Sequence, residues 1–377
     1  MRRRAVALWL GLCALPLSML VGGCRKPPPM PPPLVEAQLA ERKPDKSEAI
    51  LEYQRIISMC RDGTAPASLR AKDDCGLAAF RLAQQLEQLA QFPEAAQAYR
   101  DVEPLSHDPT KVARALFRAA EIYAERIGQP AVAVELCQQV LRKHPAEVAA
   151  EDALRAMVRW RKDDPALLSE LDAIAKTHAA HVPLGSFAWL LSAQLAQDKG
   201  TMPEAIRRYD ELARRYPKGP LYDDALISAA KLLRSLRRYG EAAERLERLQ
   251  RTYTSALLVG HYNLYLLAEG ALLLGQIYLE DMRQPARAIP ALTGFLKRQP
   301  TSRLADDALL LLAEATRRRH TPPTPLDKTE ACRHLARLYK QYPDSNQRRK
   351  ADEPTPELAC PAARPSKHPA HHSPNPH

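Results

Sequence analysis

The segment Ala205–Pro217 reads AIRRYDELARRYP. Small or apolar side chains stand at Ala205, Tyr209 and Leu212, and Pro217 follows five residues after the last of them. Steps of four and three residues place the three side chains on one face of an α-helix. Proline ends that helix because it has no N–H to donate to the preceding turn. The segment therefore predicts a helix with one buried stripe and a defined end.

The same spacing recurs along the chain. Clear copies begin at Ala133, Ala205, Ala288 and Ala331, and weaker copies begin at Ala95, Leu167 and Ala242. The intervals between copies leave room for one further helix each, and we expect these helices at residues 112–125, 187–197, 221–236, 262–280 and 304–317. Two helices per repeat predict an all-α solenoid of stacked helical hairpins over residues 47–345.

Particular residues of this repeat resemble the tetratricopeptide repeat. The run Leu274-Gly275-Gln276-Ile277-Tyr278 is similar to the Leu-Gly-x-x-Tyr element of its first helix, and the spacing described above is similar to its second helix. Tyr216-Pro217 and Tyr342-Pro343 resemble the hairpin turns of bacterial envelope repeats, such as the BamD-like outer-membrane assembly lipoproteins and Tol–Pal-type periplasmic proteins. The resemblance implies a right-handed superhelical solenoid that binds extended peptides or partner helices.

The N-terminus has the pattern of a lipoprotein export signal. Arg2–Arg4 precede the apolar run 5–19, and Leu20-Val21-Gly22-Gly23-Cys24 resembles a lipobox. The run is shorter than a bilayer-spanning helix, which favours a cleaved signal. We expect a signal peptide over residues 1–23, a lipid on Cys24, and a location in the cell envelope, with the outer membrane facing the periplasm favoured.

Proline-rich segments flank the repeats. Residues 24–46 are expected to form a stalk, with polyproline II geometry over Lys26–Pro33. Residues 346–377 are rich in Pro, Ala and His and are expected to be disordered. The loop Arg317–Pro325 contains three consecutive arginines, which leaves a contact to anionic headgroups or a solvated loop as alternatives.

The charge of the chain does not indicate a nucleic-acid partner. The formal net charge is +11, but part of it lies in the signal, the stalk and the tail, and acids and bases are interleaved in the repeats. An exported chain also has no access to genomic DNA. We therefore exclude the nucleic-acid-binding class.

Five cysteines remain when Cys13 and Cys24 are set aside. Cys60 and Cys75 are the first candidates for a disulfide, because only a short loop with Gly63 and Pro66 separates them. Cys332 and Cys360 are a second candidate pair, although their bond would fasten a tail expected to be disordered. Cys137 falls on an apolar helical position and is expected to be a small buried side chain.

The sequence lacks the patterns of a catalytic or metal site. It contains no HExxH, GxSxG, P-loop or GxGxxG motif and no paired CxxC spacing. His178 and His181 have a helical spacing compatible with a metal, but no further ligand accompanies them. We therefore expect no enzyme activity, no cofactor and no metal.

Candidate partner-binding residues come from the predicted first helices, because Arg and Tyr are enriched at binding hot spots. They are Arg114, Arg118, Lys231, Arg234, Tyr262 and Tyr265. Tyr123 and Trp189 are further groove candidates, for which a place in the repeat core is the alternative. For the arginines the alternative is a solvated face.

These features predict a membrane-tethered, non-catalytic scaffold in a cell-envelope assembly complex. A BamD-like role in outer-membrane protein assembly, a pilotin-like role and a Tol–Pal-type role all remain open. Two other classes compete with the scaffold: an envelope enzyme or accessory subunit acting on peptidoglycan or polysaccharide, and a carrier of a hydrophobic ligand.

Overall fold

The structure is a computed structural model that describes residues 32–255 and 264–348 together with Cys360. All regular secondary structure within these residues is helical. The predicted signal peptide, Cys24, Tyr262 and most of the predicted tail lie outside the described residues. Two compact units divide the chain, one ending at Asp108 and the other beginning at Pro109.

The first unit contains five α-helices and a short 3-10 turn at Glu103–Leu105. The helices are α1 (Pro32–Ala40), α2 (Ser47–Arg61), α3 (Ala67–Ala71), α4 (Asp74–Gln88) and α5 (Phe92–Arg100). Along the chain α1 packs on α2, α2 on α4, and α4 on α5.

Helix α1 occupies residues that were predicted to belong to the stalk. Leu34, Ala37 and Ala40 are buried, and α1 packs against α2. Pro32 lies in the first turn of α1, where a backbone N–H has no partner within the helix. The absence of an N–H on proline therefore costs no hydrogen bond. The stalk prediction is therefore wrong for Pro32–Ala40, and the folded part begins earlier than residue 47.

The second unit consists of six helical hairpins, each with a first and a second helix. They are α6 (Pro109–Ile122) and α7 (Pro130–Lys143), α8 (Val148–Trp160) and α9 (Leu167–Thr177), α10 (Val182–Asp198) and α11 (Met202–Arg215), α12 (Tyr222–Ser235) and α13 (Tyr239–Ser255), α14 (Leu264–Gln276) and α15 (Pro285–Arg298), and α16 (Ala305–Arg317) and α17 (Pro325–Gln341). The predicted all-α repeat solenoid is confirmed.

The second helices bury the stripe from which the repeat was predicted. In α11, Ala205, Tyr209 and Leu212 are at most 2% exposed. The equivalent residues of α7, α15 and α17 are also buried. Each of these helices ends two residues before the proline of its copy, as at Arg215 before Pro217.

Five of the turns between paired helices use one residue in the left-handed region. That residue is Ala90, Gly128, Gly200, Arg237 or Arg283, with φ between 54° and 77°, whereas the turns after α8 and α16 have no such residue. Glycine adopts this conformation without a steric cost, whereas residues with a Cβ do not. Three of the five turns therefore carry backbone strain.

Two first helices end in the same π turn. Tyr123–Ile127 extends α6, and Ile277–Asp281 extends α14. In both, the backbone N–H of a glutamine donates to the carbonyl of the tyrosine six residues earlier, over 2.7 Å. Both sequences read Tyr-x5-Gln-Pro, and the proline then opens the second helix.

Two disulfides fasten helices in the structure. Cys60 on α2 is bonded to Cys75 on α4, with 6.0 Å between the Cα atoms. Cys332 on α17 is bonded to Cys360, with 5.5 Å between the Cα atoms. Cys137 is free and buried, and burial together with the nearby Glu121 carboxylate raises the pKa of its thiol to about 12.

Within residues 32–255 and 264–348, no helix combines the length and the apolar character needed to cross a bilayer.

Candidate binding surface

The first helices of the second unit pack on one another in two runs. α6 packs on α8 and α8 on α10, and α12 packs on α14 and α14 on α16, whereas α10 and α12 show no comparable packing in the part of the chain described. Among the described residues, successive second helices show no packing of comparable extent. Helices that approach on one side and separate on the other curve the stack toward the side of approach. The first-helix face is therefore the inner face of the curve.

The side chains of this face form rows across the last three hairpins. An acidic row consists of Asp224, Glu269 and Asp307, one from each of α12, α14 and α16. An apolar row consists of Ile227, Leu272 and Leu310, which follow the acids by three residues. Steps of three and four keep each set on one side of its helix.

The rows are accessible to different degrees. Ile227 is buried, whereas Leu272 and Leu310 are only half-buried. Asp224, Glu269 and Asp307 are also half-buried. Tyr265, four residues before Glu269 on α14, is 54% exposed. This face can therefore offer apolar contact and carboxylate acceptors to the same bound segment.

Burial and mutual repulsion perturb the carboxylates at the start of α12. Burial, with the neighbouring Asp224, raises the pKa of Asp223 to about 6. Burial, opposed by a backbone hydrogen bond and aided by Glu269, raises the pKa of Asp224. Asp223 is only 5% exposed, and its Oδ1 accepts no hydrogen bond within the described residues. Negative charge at this position is therefore incompletely compensated.

Two of the predicted binding residues join neighbouring repeats instead of standing free. Lys231 Nζ lies 2.6 Å from a carboxylate oxygen of Glu269 on α14. Arg234 Nε lies 2.6 Å from Asp281, and its Nη2 lies 3.3 Å from Glu280. Both cations therefore tie α12 to the next first helix. The part of each side chain that remains accessible to solvent belongs to the inner face.

The other predicted residues are distributed along the same layer. Arg114 and Arg118 are exposed on α6, and Arg118 pairs with Glu121 of its own helix over 2.8 Å. Tyr265 is exposed on α14, and Tyr262 lies outside the described residues. The six residues do not converge on one pocket. They are spread from α6 to α14.

The two aromatic alternatives have different positions. Trp189 is 1% exposed and belongs to the core of α10. Tyr123 is half-buried in the π turn that ends α6.

The arginines of the second helices were not predicted as a group. Arg208 on α11 pairs with Asp172 on α9 over 3.1 Å, and Arg245 on α13 pairs with Asp210 on α11 over 3.0 Å. The partners are 36 and 35 residues apart, one repeat. An acid one repeat before an arginine is the sequence signal that would have identified them.

The arginine-rich loop after α16 is held by carboxylates. Arg317 and Arg318 both pair with Glu314. Arg319 lies 2.7 Å from both Asp327 and Glu330. These pairs favour the solvated-loop alternative over a contact to anionic headgroups.

The described residues contain no group of three or more His, Cys, Asp or Glu side chains that could hold a metal ion. The rings of His178 and His181 are 6.2 Å apart at their centroids. Burial, together with His181, lowers the pKa of His178. The pair therefore lacks a third ligand within the part of the chain that the structure describes.

Three clefts lie between successive second helices, on the side opposite the inner face. They have volumes of about 310 Å³ between α7 and α9, about 370 Å³ between α11 and α13, and about 310 Å³ between α13 and α15. The cleft between α11 and α13 is lined by four arginines, including Arg207 and Arg214, with Asp210 and Glu211 as the acids. Arg214 pairs with Glu211 and Arg245 with Asp210, while the other two arginines pair with acids just outside the cleft, which is the pattern of a structural ion-pair network.

The tetratricopeptide repeat family matches residues 114–146 and 307–345. Over these residues the chain is similar to the tetratricopeptide repeat. The matched residues lie in α6 with α7 and in α16 with α17, so both ends of the second unit carry the repeat that the sequence spacing predicted.

Solved structures with a related shape include other repeat proteins. The C-terminal part of a tetratricopeptide repeat-containing protein from Cytophaga hutchinsonii is 14% identical, with 73% of this chain and 100% of that chain covered and a TM-score of 0.44. Pseudomonas aeruginosa pilF is 14% identical, with 63% and 97% covered and a TM-score of 0.34. Yeast Tom70 is 13% identical, with 87% and 66% covered and a TM-score of 0.34. No curated protein matches the sequence.

Proposed function

We propose that this protein is a non-catalytic scaffold that binds partner proteins or peptides on its first-helix face, within a cell-envelope assembly complex. The observation that carries the proposal is the inner face itself. It repeats acidic and apolar side chains from helix to helix, instead of gathering polar groups in one enclosed pocket. Regularly spaced contacts of this kind suit an elongated partner.

The sequence adds a membrane tether to this scaffold. Cys24 ends a lipobox-like segment, and its lipid would hold the protein on an envelope membrane. Each buried CH₂ of an acyl chain contributes about 0.8 kcal/mol, so stable anchoring requires more than one chain. Arg25 follows the cysteine, which favours the outer membrane with the repeats in the periplasm.

The short segment between the lipid and α1 limits the distance between α1 and the membrane. Seven residues separate Cys24 from Pro32, the first residue of α1. Such a segment spans at most about 30 Å when fully extended. The lipid would therefore hold α1 close to the membrane surface. BamD-like outer-membrane protein assembly and a pilotin-like role both fit a repeat protein anchored in this way.

The test is chemical crosslinking in cells, followed by purification from membranes and mass spectrometry. We expect recovery of protein components of an envelope assembly machine, and their identity distinguishes β-barrel assembly from secretin or pilus assembly. Recovery of peptidoglycan or polysaccharide fragments without a stable protein partner would overturn the proposal in favour of an envelope enzyme.

The tether has a separate test. Cys24→Ala should move the protein from the membrane fraction to the soluble fraction. Cys137→Ala is the matched control, because that cysteine is buried in α7 and should leave fractionation unchanged. Retention of the Cys24→Ala protein in the membrane would refute the lipid anchor without touching the scaffold assignment.

A further inference from the structure

The last three hairpins separate charge between their two layers. The first helices α12, α14 with its π turn, and α16 carry eight carboxylates against three Lys and Arg side chains. The second helices α13, α15 and α17 carry five carboxylates against ten Lys and Arg side chains. The inner face of these hairpins is therefore acidic and the outer face is basic.

The opposite end of the inner face does not share this character. Helix α6 carries three Lys and Arg side chains and one carboxylate. On α8, Glu151-Asp152-Ala153-Leu154 corresponds to Asp223-Asp224-Ala225-Leu226 of α12, so the exposed Arg155 occupies the position of the apolar row. An acidic face with an unbroken apolar row is thus confined to α12, α14 and α16.

The geometry of the apolar row matches the repeat of an α-helix. Packed helices lie about 8–10 Å apart, so the rows of α12, α14 and α16 advance by about that distance at each step. An α-helix rises about 10.5 Å over seven residues. A helix laid across the three would therefore place apolar side chains, seven residues apart, against the half-buried Leu272 and Leu310, whereas Ile227 is buried and offers it little contact. About 15 residues are enough.

The acidic row decides the charge of that helix. Asp224, Glu269 and Asp307 run parallel to the apolar row, three residues earlier in each helix. Carboxylates on this face are partly desolvated, as the raised pKa of Asp224 and of Asp223 shows. Burial raises the pKa of Glu314, but the neighbouring Arg317 and Arg318 lower it below its usual value. A neighbouring cation therefore offsets the desolvation of a carboxylate here. Lys or Arg side chains of a ligand would supply the missing compensation at α12.

We propose that the inner face of α12, α14 and α16 binds a basic amphipathic helix of the partner protein, with apolar residues at heptad spacing and Lys or Arg along one flank. The inference rests on the scaffold function proposed above and names the chemistry of its partner. The apolar row binds the apolar stripe of the ligand, and the acidic row binds its basic flank.

The probe is a synthetic 15-residue amphipathic peptide with Leu at heptad spacing and Lys along one flank. Its counterpart has the same Leu positions with Glu in place of Lys. Fluorescence anisotropy measures binding of each to the full lipidated protein in a zwitterionic detergent. We expect the Lys peptide to bind at least tenfold more tightly than the Glu peptide, and its affinity to fall as salt rises. Equal binding of both peptides, or tighter binding of the Glu peptide, would overturn the inference.

A pair of matched variants localises the binding. Glu269→Gln with Asp307→Asn removes two charges from the acidic row. Glu241→Gln with Glu244→Gln removes two charges from α13 in the outer layer. The first variant should weaken binding of the Lys peptide at least fivefold, and the second should leave it unchanged. Equal effects of both variants would show that the peptide responds only to net charge, and would refute the site.

Melting temperatures of both variants separate a lost contact from a lost fold. If the inner-face variant melts at the wild-type temperature and binds as tightly as wild type, the inference is wrong. If it is destabilised, Leu310→Gln provides a second, uncharged test of the same surface, for which we expect at least a fivefold loss.

The experiments can refute this inference and the proposed scaffold function separately. If crosslinking in cells recovers an envelope protein whose contact segment is acidic, or lies on α6 to α10, the scaffold stands and the inference fails. If the Lys peptide binds at the acidic row but no protein partner is recovered from cells, the surface chemistry stands and the scaffold function fails.

Discussion

Arg208 on α11 and Asp172 on α9 form a two-pronged ion pair between neighbouring repeats. Nε lies 3.1 Å from Oδ1, and Nη2 lies 3.1 Å from Oδ2. Ser192 of the intervening first helix donates to the same Oδ1 over 2.6 Å. Because Arg208 is almost fully buried, one pair joins two hairpins and the helix between them.

Removal of this arginine should cost stability. Arg208→Ala removes the buried cation of Asp172, whose side chain is 14% exposed, and leaves only the more exposed Arg207 at 3.8 Å. Breaking a buried pair in this way costs about 3–5 kcal/mol. We expect a loss at the lower end of that range in the free energy of unfolding, measured by urea denaturation. The control is Arg214→Ala. Arg214 is a largely exposed residue on the same helix that pairs with Glu211 of that helix, and such exposed ion pairs contribute little to stability. Equal losses for the two variants would refute the inter-repeat role.

The strained turn at Ala90 should be improved by glycine. Ala90 has φ of 57°, a region that costs an L-residue about 1–2 kcal/mol, whereas glycine loses only about 0.5–1 kcal/mol of backbone entropy. Ala90→Gly should therefore raise the free energy of unfolding by about 0.5–1 kcal/mol. Gly128→Ala, at φ of 77°, should act in the opposite direction. A destabilised Ala90→Gly protein would contradict this account of the hairpin turn.

Asp223 should make stability fall as pH rises. Its pKa is raised to about 6 in the folded protein, while an unfolded Asp titrates near 3.8, so the unfolded state loses its proton first. Below about pH 4, Asp223 therefore does not lower the free energy of unfolding. Between about pH 4 and pH 6 the free energy of unfolding decreases, and above about pH 6 the loss is complete. A shift of this size corresponds to about 3 kcal/mol at most.

Asp223→Asn tests this directly, because the amide has the same shape and does not titrate. The difference in free energy of unfolding between variant and wild type should increase in favour of the variant between pH 4 and pH 7. Asp172→Asn is the comparison variant, since that carboxylate is paired with Arg208 and its loss should destabilise the protein at neutral pH. A pH-independent difference for Asp223→Asn would contradict the burial of a charged carboxylate at this position.

The disulfide of the first unit should contribute to its stability. Cys60 and Cys75 are 15 residues apart, and closing a loop of that length stabilises a protein by about 3 kcal/mol. The double variant Cys60→Ser with Cys75→Ser should lower the free energy of unfolding of the oxidised protein by about that amount. Treatment with a reductant should then have no further effect on this transition. Unchanged stability would show that the bond adds nothing to the fold.

The sequence was sufficient to predict the second helices because their core stripe is local. Ala205, Tyr209 and Leu212 lie within two helical turns, and a proline marks the end. Helix α1 was missed because its first residues are prolines, which favour an extended stalk when considered alone. Its helical conformation depends on packing against α2, which the local sequence does not show.

The roles of charged residues were harder to predict, because their partners lie one repeat away. Lys231 and Arg234 had the features of ligand contacts, and only the stacking of α12 on α14 brings them to Glu269 and Asp281. A second recurring contact was also missed. Tyr209 donates to Gln197 twelve residues earlier over 3.3 Å, and Tyr99 donates to Glu87 over 3.0 Å at the same separation.

Site-specific photo-crosslinking in cells tests the central claim most directly. A photoreactive amino acid replaces Tyr265, which is exposed at the start of α14 on the inner face, and in a second strain replaces Glu244, whose side chain is 72% exposed on α13. The account predicts a discrete crosslink to an envelope protein from position 265 and none from position 244. Crosslinks from position 244 alone, or from neither position, would contradict a scaffold that binds through its first helices.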